Sequence, residues 1–246
     1  MRKGREDMKK LTATILSLLL LLSFSPAGSA EETRVQAEGN LPSVKITAAS
    51  ISSLPDREIT VPIRIEGNPG FTNLAIALEY DPAKLELKSI STNTEVLGTT
   101  KSKTNVQWKK DEKTTCGFLV AASPTAVTGD GKLFTATFKV PKDFAETTVI
   151  TPKILYLRSN AVDYKVFQSI TPDVASGTVK AILAGDVNLD GVVEYDDVMA
   201  AYQELQSPEK TFTDDQKKVA DLNNNGYIDE GDVNAIYNIY TGGNQT

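Results

Sequence analysis

The last quarter of the chain is one unit written twice. Shifted by 35 residues, DVNLDGVVEYDDV from Asp186 falls on DLNNNGYIDEGDV from Asp221, and both fit D-x-N-x-[DN]-G-x-[VI]-x-x-x-D-V. This spacing places oxygen-bearing side chains at positions 1, 3, 5 and 12 of each loop and a glycine at position 6. A hard cation such as calcium takes roughly six to eight oxygens, and a loop of this form supplies them from those side chains and from the carbonyl of position 7. The first loop offers Asp186, Asn188, Asp190, the Val192 carbonyl and Asp197. The second offers Asp221, Asn223, Asn225, the Tyr227 carbonyl and Asp232. Glu194 and Asp229, at position 9, are placed to act through water. Gly191 and Gly226 permit the sharp bend. The expectation is two calcium ions, with magnesium disfavoured because it keeps its waters and a strict octahedron.

Each loop is followed by apolar residues at helical spacing: Val198, Ala201, Tyr202 and Leu205, then Val233, Ile236, Tyr237 and Tyr240. Between them Thr213-Asp214-Asp215-Gln216 has the spacing of a capping box that opens a short helix. Residues 184–246 hold 13 acidic and 3 basic side chains, against 17 and 18 in residues 31–183. So acidic a segment repels nucleic acid and anionic membrane. Its carboxylates also repel one another unless a cation joins them. About sixty residues with so few apolar positions are marginal alone, so the metal's role is structural.

The rest of the composition removes several chemistries. The chain of 246 residues has one cysteine, Cys116, and no histidine. An intrachain disulfide, a Cys/His zinc site and His-dependent nucleophilic catalysis have no residues to form them. Cys116, in the run Cys116-Gly117-Phe118-Leu119-Val120, reads as a buried structural thiol.

Residues 1–30 read as a secretory signal peptide: Lys9 and Lys10, the apolar run Ile15 to Leu22, and small residues Gly28-Ser29-Ala30 for cleavage. Met8 is an alternative start. That run is short for a bilayer span and no second one follows, so the expectation is an exported protein without membrane insertion. Residues 31–42 are polar and aperiodic, a flexible lead.

From residue 43 to 182 the period is two. Ile59, Val61, Ile63 and Ile65 alternate with Glu58, Thr60, Arg64 and Glu66, and Pro62 in this run suggests an edge strand. Leu74, Ile76, Leu78 and Tyr80 alternate likewise, as do Phe134, Ala136, Phe138 and Val140. Further runs lie near residues 44–51, 85–91, 105–108, 116–121, 149–157 and 177–181. Nine short strands without intervening helices predict a mainly β chain, a nine-stranded jelly-roll β-sandwich, followed at 185–246 by a small α-helical calcium-binding domain. No linker-like composition separates the two, which predicts close neighbours.

The duplicated loop that ends in Asp, with a helix leaving but none entering the first copy, resembles a dockerin. NPGFTNLAIALEYDPAKLELKSI from Asn68 and TGDGKLFTATFKVP from Thr128 resemble a cohesin, the jelly-roll partner of dockerins. In dockerins the resemblance implies partner contact at loop positions 10 and 11 and on the following helix. Here those are Tyr195, Asp196, Tyr202 and Gln203 in one copy and Glu230, Gly231, Tyr237 and Asn238 in the other. Tyr-Asp against Glu-Gly breaks the symmetry of the copies and favours one dominant face. Tyr202 and Tyr237 also lie on the apolar helix stripe and have a second reading as core residues. In the β domain the residues of one strand that face away from Leu74, Ile76 and Leu78 are Asn73, Ala75, Ala77 and Glu79, a small, flat set for a solvent face. Likeness to cohesins implies that this face receives a dockerin, with Ala75 standing where that family often has Asp.

The resulting expectation is a secreted, non-catalytic adaptor scaffoldin. Its dockerin plugs into a cohesin of a larger scaffold, and its cohesin takes a dockerin-bearing protein such as a polysaccharide-degrading enzyme. The alternative is a carbohydrate-binding β-sandwich with a calcium-stabilised tail, for which the single Trp108 offers little aromatic platform. No carboxylate pair outside the loops suggests a glycosidase.

Overall fold

The computed structural model describes residues 43–92, 94–109, 115–159 and 168–242. The signal-peptide and lead readings fall outside these residues, as does the side chain of Cys116.

Strands β1 (Lys45–Ala48), β2 (Ile51–Ser53), β3 (Glu58–Glu66), β4 (Phe71–Tyr80), β5 (Glu86–Ser91) and β6 (Lys101–Lys109) are followed by β7 (Thr115–Val127), β8 (Gly131–Lys139), β9 (Thr148–Ser159), β10 (Gln168–Ser169), β11 (Asp173–Ala175) and β12 (Gly177–Ala181). They form two sheets, one ordered β11-β1-β3-β8-β5 and the other β2-β12-β9-β4-β7-β6, with β10 beside β9. Pairing is antiparallel except for β1 with β11 and β2 with β12. The inward rows of the two sheets close one core: Ile63, Phe134 and Phe138 from the first, and Leu74, Ile76, Leu78 and Leu119 from the second, all without exposed surface. Burying each such side chain contributes about 1.5–3 kcal/mol. Tyr80 meets Phe138 edge-on, with ring centroids 5.0 Å apart.

Twelve strands among the described residues replace the nine expected. The apolar run near residues 44–51 is two strands, because the chain leaves one sheet after Ala48 and joins the other at Ile51. β10 and β11 are too short for a period of two to register. Pro62 is also placed differently than its identity suggested, since β3 lies in the middle of its sheet. β1 ends at Ala48 opposite Ile63, so the missing Pro62 N–H falls just past the end of that ladder, while the Pro62 carbonyl accepts from Ala49 N at 3.1 Å.

Three helices follow: α1 (Tyr195–Gln206), α2 (Asp214–Ala220) and α3 (Glu230–Tyr240). The Thr213 capping box forms, with Gln216 N donating to Thr213 Oγ1 and Thr213 N to Gln216 Oε1. Val187, Val198, Ala201, Ala220 and Ile236 make the small core of this region. Its link to the sandwich is short and bonded: Ile182 N donates to Ser53 O, and Lys218 Nζ on α2 donates to Ser52 O at 3.3 Å.

Candidate functional site

The two acidic loops have one backbone and share a pattern of main-chain N–H donors. Position 4 is left-handed in both (Leu189 φ 63°, Asn224 φ 58°), and so is the glycine at position 6 (Gly191 φ 99°, Gly226 φ 88°). The carboxylate at position 1 accepts from the N–H groups of positions 5 and 6: Asp190 and Gly191 in the first loop at 3.0 and 2.9 Å, Asn225 and Gly226 in the second at 3.0 and 2.8 Å. The Oδ1 of position 3 accepts from position 5 N, and that of position 5 from position 7 N, in both copies. Local N–H donors thus turn successive side-chain oxygens into the loop.

Position 12 explains the Asp ending. Asp197 and Asp232 are the third residues of α1 and α3, and each reaches back to the residue before its helix. Asp197 Oδ2 accepts from Glu194 N at 2.8 Å and Asp232 Oδ2 from Asp229 N at 3.1 Å. Their other oxygens cross the loop, to Asn188 N at 2.9 Å and Leu222 N at 2.9 Å. Both side chains are fully buried. Among the described residues, no Lys or Arg forms an ion pair with either loop. Two buried carboxylates held only by neutral donors, beside oxygens turned the same way, fit a hard cation.

Among the described residues no three His, Cys, Asp or Glu side chains converge tightly enough to form a metal cluster. Part of each loop's donor set is Asn and main-chain carbonyl. In addition, the Asn188 amide holds Asp190 Oδ2 at 2.9 Å and the Asn225 amide holds Asp229 Oδ2 at 2.8 Å. The Asn225 amide, aided by the Gly231 N–H, holds the Asp229 carboxyl below the usual carboxylate range.

α1 and α3 run antiparallel, so the start of one lies beside the end of the other. Tyr195 therefore neighbours Tyr240 (ring centroids 6.3 Å) and Tyr240 neighbours Tyr237 (6.3 Å), and all three are exposed. Tyr202 and Tyr237, each 48 % exposed, are surface residues and not core. Asp196, Gln203, Glu230, Gly231 and Asn238 are exposed as well. The sequence grouped Tyr195 with Tyr202 on its own helix; the fold groups it with the other copy. In the sequence Tyr240 figures only as part of the apolar stripe of α3, and the packing of the two helices brings it into the cluster.

A second feature without a sequence signal is Glu204, a buried carboxylate. It accepts from Thr211 N, Thr211 Oγ1 and Phe212 N at 3.0–3.3 Å, and Lys210 Nζ donates to its carbonyl. Burial works to raise its pKa, but these donors and the nearby Lys210 charge win and hold it below the ordinary value.

On the sandwich, Asn73, Ala75, Ala77 and Glu79 point away from the core but do not form an open row. Ala75 is 0 % and Ala77 3 % exposed, while Asn73 and Glu79 are half-buried. β4 is flanked on both sides, and opposite residues share a face. Ala75 lies between Val120 and Tyr156, and Ala77 between Phe118 and Lys153, so larger neighbours rise over them. The surface offered by this sheet is therefore made by those neighbours. Phe118, Val120 and Tyr156 are partly exposed, with Lys101 and Lys103 of β6 on one side and Lys153 and Arg158 of β9 on the other. The Arg158 guanidinium lies 5.4 Å from the Tyr156 ring centre, and Lys153 sits 3.7 Å from Glu79.

Comparison with known proteins matches this division. The cohesin domain model covers residues 43–181 and the dockerin type I domain model residues 184–239. No curated protein matches the chain. Similar solved structures include the seventh ScaB type I cohesin of Pseudobacteroides cellulosolvens, 19% identical with TM-score 0.47, covering 56% of this chain and 92% of that one. A Coh-OlpA–Doc918 complex of Clostridium thermocellum is 19% identical with TM-score 0.48, covering 57% and 99%. The third ScaC cohesin with the ScaB dockerin of Acetivibrio cellulolyticus is 20% identical with TM-score 0.47, covering 56% and 99%. Cohesin and dockerin domains are non-catalytic interaction domains, type I dockerins are calcium-binding modules, and each domain has the other as partner. The chain belongs to the cohesin family and carries a type I dockerin domain behind its cohesin domain, the arrangement of a cellulosomal adaptor.

Proposed function

We propose that this chain is an exported, non-catalytic adaptor that exchanges one docking specificity for another. Its dockerin docks in a calcium-dependent way onto a cohesin of a larger scaffold, and its cohesin sheet recruits a dockerin-bearing protein such as a polysaccharide-degrading enzyme. One observation carries the reading: receptor and plug lie on one chain, and their mutual contact uses α2 and the Ser52 edge. The Tyr195–Tyr237–Tyr240 face and the β9-β4-β7-β6 sheet face stay exposed. Among the described residues no helix is long and apolar enough to cross a membrane.

Two calcium ions belong to this proposal, one held by Asp186, Asn188, Asp190, the Val192 carbonyl and Asp197, the other by Asp221, Asn223, Asn225, the Tyr227 carbonyl and Asp232. Bound calcium supplies the charge that balances the buried Asp197 and Asp232. The chain's own part is to aim oxygens through backbone N–H donors and to fix the start of each helix. On the cohesin side, Asn73 and Glu79 form the floor's ends and Ala75 and Ala77 its low centre.

The test is a three-component assembly. Full-length mature chain, a scaffold cohesin and a dockerin-bearing enzyme from the same secretome should co-elute as a ternary complex. A chelator should release the scaffold cohesin. Capture of neither partner sinks the adaptor reading.

A further inference from the structure

The two loops share a backbone but not a charge. In the ligand sets proposed above, the first loop brings three carboxylates, Asp186, Asp190 and Asp197. The second brings two, Asp221 and Asp232, because Asn225 stands where Asp190 does. The number of charged ligands and the rigidity of the site tune calcium affinity in such loops over orders of magnitude. Rigidity points the same way as charge. Asp186 is only 3 % exposed, whereas its counterpart Asp221 is half-buried.

The bonds of the position-5 side chain differ as well. In the first loop the Asp190 carboxylate accepts from the Asn188 amide, within the ligand set, and Glu194 at position 9 is exposed. In the second loop the Asn225 amide donates to Asp229 Oδ2 at 2.8 Å, and Asp229 Oδ1 accepts from Gly231 N at 2.7 Å. The position-9 carboxylate of the second loop is thus already engaged. A neutral amide holds it in place without adding charge for a cation.

The surroundings widen the difference. Beside the second loop lies a cleft of about 510 Å³ toward the sandwich, and Asp221 and Asn224 form part of its wall. Arg57 of the sandwich lines the same cleft, as do all three basic residues of the 184–246 segment, Lys210, Lys217 and Lys218. None of the first loop's residues lines it. Positive charge within about a Debye length, roughly 8 Å in physiological salt, opposes the arrival of a divalent cation. These side chains are exposed, so their effect is modest and additional to that of Asn225.

We propose that the two loops fill in order. The first takes calcium at a concentration at least about 10-fold below the second, and the cleft's basic residues, Arg57 of the sandwich among them, weaken the second site further. Between the two concentrations the chain holds one ion, with the start of α1 fixed and Asp232 at the start of α3 without its counter-charge. The inference rests on the calcium reading above and adds the order of filling, its cause in Asn225, and the influence of the sandwich on the site beside it.

Calcium titration of the mature chain, followed by the NMR amide signals of Gly191 and Gly226, tests it. Each of these N–H groups donates to the position-1 carboxylate of its own loop, so each signal reports one site. Gly191 should reach its midpoint at least about 10-fold earlier in calcium than Gly226. Asn225→Asp should lower the Gly226 midpoint by about 10-fold and leave that of Gly191 in place, while Asp190→Asn should raise the Gly191 midpoint. Asn225→Asp decides the matter if Asp190→Asn does not fold. The double variant Arg57→Ala, Lys217→Ala should tighten the second site alone, about 3-fold, and less in high salt. Coincident midpoints, a Gly226 signal that moves first, or an Asn225→Asp variant that leaves the Gly226 midpoint unchanged would overturn ordered filling. An unmoved Gly226 midpoint in the double variant would overturn the part given to the cleft. If neither glycine responds and calorimetry finds no bound calcium, the calcium reading itself fails.

Discussion

The sandwich and the dockerin domain solve the problem of a core in opposite ways. The sandwich fills its interior with aliphatic and aromatic side chains from two sheets and, among the described residues, buries no charged group. The dockerin domain has a handful of buried apolar residues and four buried carboxylates, Asp186, Asp197, Glu204 and Asp232. One region stores its stability in apolar area removed from water. The other stores it in charges that rely on their donors and, in the proposed calcium-bound form, on a counter-ion, so the two should fail under different insults.

The largest effect that would break this contrast is calcium removal. An ion held at a thousand times its dissociation constant contributes about 4 kcal/mol, and two such ions approach or exceed what a domain this small can hold. Chelation should abolish the helical circular dichroism and the lower thermal transition while the sandwich transition stays in place. A dockerin that keeps its helices in chelator would show that the buried aspartates need no cation.

Next in size is Phe134→Ala, which opens a cavity beside Ile63 and should cost about 3–5 kcal/mol in denaturant unfolding of the sandwich. The calcium response of the dockerin should not move. A shift in both transitions together would mean that the two regions unfold as one.

Glu204→Gln should cost about 1–3 kcal/mol in the dockerin transition alone, because a neutral amide accepts these donors less well. The pH dependence has a definite sign. The folded pKa lies below the ordinary one, so the contribution of Glu204 is complete above the ordinary glutamate range. It is lost as pH falls through the lowered folded value. The variant should flatten that acid limb at saturating calcium. The smallest effect belongs to Lys218→Ala, whose partly exposed bonds to Asp215 and Ser52 O should be worth less than about 1 kcal/mol. Its useful readout is greater relative motion of the two domains in scattering profiles.

What the sequence revealed follows the same contrast. Strong periodicities were legible: alternation on β3, β4 and β8, the i, i+3, i+4, i+7 stripes of α1 and α3, and the oxygen spacing of both loops. Each is a local rule within about a dozen residues. What stayed hidden needed a neighbour. Pro62 lies on an inner strand because β1 stops one residue short of it. Ala75 and Ala77 lose their exposure to side chains on β7 and β9, far away in sequence. Glu204 is indistinguishable from any solvent-facing acid until residues 211 and 212 fold back onto it. The tyrosine cluster spans two helices whose antiparallel packing no single stripe announces.

The connection from Ile182 to Asp186 is short and tied at both ends, by Ile182 N to Ser53 O and by Gly185 N to Val219 O. A tether of Gly and Ser would let whatever hangs from this chain sweep a sphere around its anchor. Here the joint is short and bonded, so in the adaptor reading the two docked partners would be held close to one another, with the Ser53 edge as one point of the link.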